Sequence, residues 1–111
     1  AKPQPEAILQ DLLHKHHVLM FSKTGCPYCV RAEKVFHRME IEPTVFQMDK
    51  EENGMEVFKA LYAYTNQRTV PNIFVTEQHI GGYAELLRAV KNKTIQKLLT
   101  QAKVPFKDID L

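Results

Sequence analysis

Both cysteines of the chain lie in one tetrapeptide, Cys26-Pro27-Tyr28-Cys29, placed where one kind of apolar pattern gives way to another. Before it, His17 to Phe21 is a short, nearly continuous apolar run ending in Ser22-Lys23-Thr24-Gly25, as a buried strand feeding a loop would read. After it, Ala32, Val35, Phe36 and Met39 recur at i, i+3, i+4 and i+7, one stripe of an amphipathic helix. Strand, thiol loop and helix must then follow one another in a single packed unit. Two cysteines so close together make no disulfide scaffold, and a disulfide closing so short a loop excludes little unfolded-state entropy. Chemistry explains the pair better than stabilisation.

The other periodicities place that unit in a larger frame. Ile8, Leu9, Leu12 and Leu13 predict a first helix over about Glu6 to His16, with Pro5 and Glu6 suited to its start. Thr44 to Met48 reads as a second strand, and Met55, Phe58, Leu61 and Tyr62 as another helical stripe. Asn72 to Val75 and Gln78 to Ile80 form a hairpin around Thr76-Glu77, ended by Gly81-Gly82. Leu86, Leu87 and Val90, then Ile95, Leu98, Leu99 and Ala102, describe two closing helices hinged near Asn92. The order is α, β, α, β, α, β, β, α, α. Strands separated by helices are expected to be parallel, and the hairpin to add an antiparallel strand. The fold class is α/β, a mixed four-stranded sheet covered by helices. The 111 residues suit one domain, with its core over about 6–102 and a tail of 103–111 whose Val104, Phe106 and Ile109 are candidates to pack on it.

Composition excludes several partners. Fifteen basic against thirteen acidic side chains leave a net charge of +2, and no basic cluster alternates with aromatics, so no nucleic-acid partner is expected. No apolar run approaches the roughly 20 residues of a membrane span. Ala1-Lys2-Pro3 has no apolar stretch of signal-peptide type, though a chain beginning without Met leaves prior trimming open.

A cysteine that opens a helix sits beside unpaired backbone N–H groups and the positive end of the helix dipole, a field that favours thiolate over thiol. Cys26 is therefore the expected nucleophile, with Lys23 adding positive potential. Cys29, almost a turn further on and covered by the helix, is placed to attack an intermediate disulfide. The plainer alternatives are half a zinc site or two idle thiols. Zinc usually takes four ligands, and no second cysteine pair is present, while His14, His16 and His17 near the first strand read as solvated surface. No metal is expected.

Lys23-Thr24-Gly25-Cys26-Pro27-Tyr28-Cys29, Thr69-Val70-Pro71 and Gly81-Gly82 occur in an order that resembles the active site, cis-proline loop and glutathione-binding turn of glutaredoxins. The resemblance runs from about Glu6 to Ala102, and Pro-Tyr between the cysteines is similar to the dithiol members of the family. It implies a thioredoxin fold, with Cys26 and Cys29 as catalytic residues and a cis bond before Pro71. It also implies glutathione contacts from Lys23, Tyr28, Arg68, Thr69, Val70, Pro71, Gly82, Tyr83 and Ala84. On their own, Pro71 reads as an edge proline, the glycine pair as a turn, and Lys23, Tyr28 and Arg68 as exposed surface. Two positions depart from the pattern. Ala84 stands where many relatives carry a capping Ser or Asp, which leaves that end of glutathione to backbone N–H groups and Glu85; Phe58 stands for a Gln, which passes the glycine carboxylate to Lys59 or Arg68.

The implied reaction is glutathione-dependent reduction of glutathione mixed disulfides through Cys26 alone and of protein disulfides through Cys26 and Cys29. Glutathione is the reductant, no cofactor is permanently bound, and the partners are glutathione or a glutathione conjugate together with glutathionylated and disulfide-bonded proteins. The chain is expected to be a cytoplasmic monomer, or mitochondrial or otherwise organellar if a targeting peptide has been removed. The rivals are an iron-sulfur cluster shared by two chains through Cys26 and bound glutathione, against which the stiffening by Pro27 argues, and a non-catalytic adaptor.

Overall fold

The computed structural model describes residues 4–111; the reading of Ala1-Lys2-Pro3 lies outside the described residues. In chain order the elements are α1 (Pro5–Lys15), β1 (Val18–Ser22), α2 (Pro27–Arg38), β2 (Thr44–Gln47), α3 (Gly54–Thr65), β3 (Asn72–Val75), β4 (Gln78–Gly81), α4 (Tyr83–Lys91) and α5 (Thr94–Gln101). The four strands form one sheet in the order β2-β1-β3-β4.

All five residues of β1 are buried because both faces of the sheet are covered. Side chains alternate across a strand, so Val18 and Met20 join the cluster built with α2, α4 and α5, whereas Leu19 and Phe21 join that of α1 and α3. Ile73 and Val75 of β3 follow the first pair and Phe74 the second. Phe21 centres its face, its ring centroid 5.6 Å from that of Phe46 and 6.0 Å from that of Phe74. Each such buried side chain contributes roughly 1.5–3 kcal/mol, so the sheet is fixed from both sides. Leu9 and Leu13 of α1 are buried as the helical spacing predicts. The hairpin turn places Thr76 and Glu77 at φ 48° and 68°, the two left-handed positions of a turn whose twist matches the strands.

One expectation is corrected. β1 and β2 are parallel, but β3 runs antiparallel to β1 although a helix precedes it. The register explains the reversal. Ser22 stands opposite Gln47 and Phe21 opposite Asn72, so the chain leaves β2 and enters β3 at the same end of the sheet. The segment containing α3 starts and finishes at that end, and a strand entering there can only run back. It is also the end at which β1 delivers Cys26.

The tail packs. Val104 and Phe106 lie against the core, Ile109 is buried, and the Lys107 N–H donates to the Met39 carbonyl at the end of α2 (2.8 Å). Lys93 Nζ donates to Asp108 and Asp110 (3.1 Å each) and to the Ile109 carbonyl (3.2 Å). No helix among the described residues is long and apolar enough to cross a membrane.

Candidate active site

Cys26 is the N-cap of α2, in extended backbone conformation, with Pro27 at the first helical position, where a missing N–H costs nothing. Gly25, at φ 74°, makes the turn that brings the chain off β1. Side-chain acceptors at an N-cap ordinarily satisfy one of the first orphan donors; here the acceptor is sulfur, 3.2 Å from the Cys29 N–H. Cys26 is half-buried and Cys29 only 2% exposed. The two are joined in a disulfide, their Cα atoms 5.3 Å apart, so the structure shows the oxidised state.

Two further segments close on this turn. The Thr24 N–H donates to both carboxylate oxygens of Asp49 (3.1 and 3.2 Å), which ties the loop ahead of Cys26 to the chain leaving β2. Those hydrogen bonds hold the Asp49 carboxyl below its usual range, so the clamp is ionised at neutral pH. From the other side comes Thr69-Val70-Pro71. The Val70–Pro71 bond is cis, Pro71 is buried, and the Val70 carbonyl oxygen lies 3.9 Å from Cys26 Sγ. Strand pairing begins only at Asn72, so Val70 sits ahead of the ladder.

Between the loops runs a groove of about 540 Å³ that contains Cys26. Lys23, Arg68, Thr69 and Val70 line it, as does Asp49. Its apolar floor is Met48, Met55 and Phe58. Here a second expectation is corrected: α3 buries Val57, Ala60 and Leu61 against the core, while Met55 is 66% exposed and turned toward the groove. The helix is apolar on two sides, and reading Met55, Phe58, Leu61 and Tyr62 as one stripe mixed them. That surplus apolar side was the available signal for a groove wall; for Asp49 there was none. Tyr62 carries Arg68, whose guanidinium carbon stands 5.0 Å from the ring centroid.

Tyr28 is 53% exposed, its ring centroid 5.7 Å from that of Tyr83, with the Arg31 guanidinium 5.1 Å from its own centroid. Gly82 is the N-cap of α4 and abuts Pro71: a Cβ there would stand 3.7 Å from the Pro71 carbonyl oxygen. Ala84 is exposed and supplies no cap. Glu85 does so instead, one carboxylate oxygen accepting the Gly82 N–H at 2.8 Å, so that oxygen is already engaged. Among the described residues no three His, Cys, Asp or Glu side chains converge on a metal-sized site. His14 meets Glu77 at 3.3 Å and His16 meets Thr44 at 3.1 Å.

The sequence model of the Glutaredoxin family matches residues 18–80, which contain the disulfide, the cis-proline loop and most of the groove. The chain belongs to the glutaredoxin family. Monothiol glutaredoxin-S6 of Oryza sativa subsp. japonica is 35% identical to it over 99 residues, covering 89% of this chain and 76% of that protein. Glutaredoxin-1 of Rhizophagus irregularis is 36% identical over 91 residues, covering 82% of this chain and 90% of that one. The crystal structure of the buckwheat glutaredoxin-glutathione complex superposes with a TM-score of 0.84 at 30% identity, over 95% of this chain and 98% of that one. This glutaredoxin has the thioredoxin fold and, with both sulfurs in place, the dithiol arrangement. It is a glutathione-dependent thiol-disulfide oxidoreductase.

Proposed function

We propose that this glutaredoxin works by two routes that share one first step. In that step the Cys26 thiolate attacks a substrate disulfide. With a glutathionylated protein it takes the glutathione sulfur, forming a Cys26-glutathione disulfide while the protein thiolate leaves and is protonated. A second glutathione thiolate then attacks the glutathione sulfur held on Cys26, producing oxidised glutathione and returning the Cys26 thiolate. With a protein disulfide, Cys29 attacks Cys26 of the mixed disulfide, releases the second protein thiol and leaves the Cys26–Cys29 disulfide, which two glutathione molecules reduce. The observation that carries this reading is the difference between the sulfurs: a half-buried Cys26 on the groove and a buried Cys29 bonded to it.

The glutathionyl group is read as lying along Val70, its backbone pairing with the free edge ahead of β3. Lys23 and Arg68 border the same groove as fixed cations for its carboxylates, and Thr69 flanks the edge. Tyr28, Pro71, Gly82, Tyr83 and Ala84 belong to the opposite border, where the γ-glutamyl end meets the start of α4. The apolar floor of Met48, Met55 and Phe58 suits glutathione or a conjugate extended at its glycine end. No cofactor is permanently held in this reading. The chain acts as a monomeric single domain over 1–111 on glutathionylated and disulfide-bonded proteins, in the cytoplasm or in an organelle with its own glutathione pool.

The test is turnover of a glutathionylated peptide and of a disulfide-bonded protein at the same glutathione concentration, with oxidised glutathione measured as product. Both substrates should be reduced. Turnover of neither would remove the reading, and a visible absorption band in anaerobically purified protein would replace it with a bound cluster.

A further inference from the structure

Behind the cis-proline loop lies a hydrogen-bond chain with one self-consistent arrangement of protons. Gln67 Nε2 stands 3.0 Å from the Thr69 carbonyl oxygen and 3.1 Å from that of Pro71. Carbonyl oxygens only accept, so the amide NH2 must face them and Gln67 Oε1 must turn toward His79 Nε2, 3.2 Å away. That oxygen also only accepts. His79 Nε2 therefore carries a proton, which it shares with Asn72 Oδ1 at 2.9 Å. Asn72 Nδ2 in turn donates to Thr65 Oγ1 (3.3 Å), which accepts the Gln67 N–H (3.2 Å) and donates to the Leu61 carbonyl (2.9 Å).

The network has its back to the core and its front to the site. Asn72 is fully buried, and the His79 ring stands with its centroid 5.2 Å from that of Phe74 across the β3–β4 pair. Partial burial lowers the pKa of His79 and so favours the neutral ring, although the Glu85 charge pulls the other way; the acceptors facing Nε2 place the ring's proton there. At the front, the two carbonyls held by Gln67 belong to the residues on either side of Val70, the residue whose own carbonyl lies against Cys26 Sγ.

We propose that His79 and Gln67 are positioning residues for substrate: the imidazole sets the rotation of the Gln67 amide, and the amide clamps the carbonyls flanking Val70, holding the backbone edge on which the glutathionyl group is laid. The inference rests on the reading of Val70 as that edge. Neither side chain touches the sulfurs, so their effect is on binding geometry and not on the nucleophile.

The experiment compares His79→Ala, Gln67→Ala, the double variant and His79→Gln in the full chain, measuring KM and kcat for a glutathionylated peptide and the alkylation rate of Cys26. Each Ala variant should raise KM by about three- to tenfold, the factor that follows from losing one or two ordinary hydrogen bonds. The kcat and the alkylation rate should stay within about twofold. The double variant should be no worse than Gln67→Ala alone, because both changes break one path. His79→Gln should recover most of the loss, since its amide places an N–H where the imidazole Nε2–H stands. A wild-type KM in folded Ala variants, strictly additive losses, or a folded His79→Gln as impaired as His79→Ala would each overturn the proposal. Hydrogen exchange at the Val70 amide, measured in Cys29→Ser protein before and after glutathionylation, separates the two layers. Unchanged exchange would remove the Val70 edge and this inference with it, whereas slower exchange with a wild-type KM in His79→Ala would remove the inference alone.

Discussion

The backbone N–H of Cys29 lies 3.2 Å from Cys26 Sγ, so the residue that carries the second thiol also supplies the donor nearest the first. One helical turn thus does two separable things, solvating a sulfur through its backbone and threatening it through its side chain.

The donor belongs to the backbone and should act on Cys26 whatever side chain stands at 29. In the reduced protein, iodoacetamide is expected to label Cys26 at a pH below that needed for an unperturbed thiol of pKa about 8.5, because a helix N-terminus stabilises the anion. Buried Cys29 should label slowly. The rate of alkylation against pH, read by mass spectrometry of each peptide, checks both statements; faster labelling of Cys29 would reverse the assigned roles.

Substitution separates the side-chain part. Cys29→Ser is expected to keep turnover of a glutathionylated peptide, since that route needs only Cys26 and a second glutathione, and to lose most reduction of protein disulfides, accumulating the mixed disulfide. The intramolecular attack it lacks draws on a high effective concentration. Cys26→Ser should be inactive on both substrates. Equal protein-disulfide reduction by Cys29→Ser and wild type would show that Cys29 resolves nothing.

Gly54, the first residue of α3, has no room for a side chain: a Cβ there would run into the Met48 carbonyl. Gly54→Ala should push apart the segment that holds Met48 and Asp49, costing about 1–3 kcal/mol as an overpacked site does. Thermal unfolding gives the stability, and loosened Thr24–Asp49 bonding should appear as faster exchange of the Thr24 amide. An unchanged melting temperature would mean that the helix start moves freely.

The tail is tied down by charge as well as by packing. Hydrogen bonds from Lys93 and then Gln96 hold the Asp108 carboxyl below its usual range, and Asp108 followed by Asp110 raises Lys93. The carboxylate's contribution is present above the unfolded value of about 3.9 and is lost as pH falls through the lower folded one. That of Lys93 is present below about 10.4 and is lost as pH rises through the higher folded value. The tail should therefore be anchored from about pH 4 to 10 and loosen in acid, and Lys93→Ala should remove most of that dependence. Exchange of the Lys107 amide, bonded to Met39 only while the tail is docked, reports it. Truncation after Lys103 should lower the melting temperature and leave turnover of the folded protein intact, as no tail residue lines the groove.

Local patterns carried most of the fold in advance. The uninterrupted apolar run at β1 reads as a strand covered on both faces, and the stripe from Ala32 to Met39 as the helix that Cys26 caps, because each follows from the period of its own segment. The direction of β3 does not follow from any one segment. It depends on where α3 ends relative to β1, a long-range fact that appears only as the pairing of Phe21 with Asn72. At the site, Cys26 and Cys29 were legible from residue type and from their place between strand and helix, and the Thr69–Pro71 loop only through the resemblance to glutaredoxins. Asp49, Gln67 and His79 were not, because an acidic residue past a strand, a glutamine in a loop and a histidine in a hairpin carry no local pattern that names the partners folding brings to them.

That pairing has a consequence for the order in which the chain becomes an enzyme. A chain emerging from the ribosome finishes its thiol pair about forty residues before Val70, so for a time it carries a helix-capping cysteine with no wall opposite. On the proposed reading of Val70, such an intermediate would be a nucleophile without a preference, open to any disulfide it meets. If Val70 is the proposed glutathionyl edge, selectivity requires β3 docked antiparallel beside β1, the pairing that carries Val70 to the sulfur. Catalytic discrimination during refolding, set against bare thiol reactivity, would thus time the closure of the central strand pair.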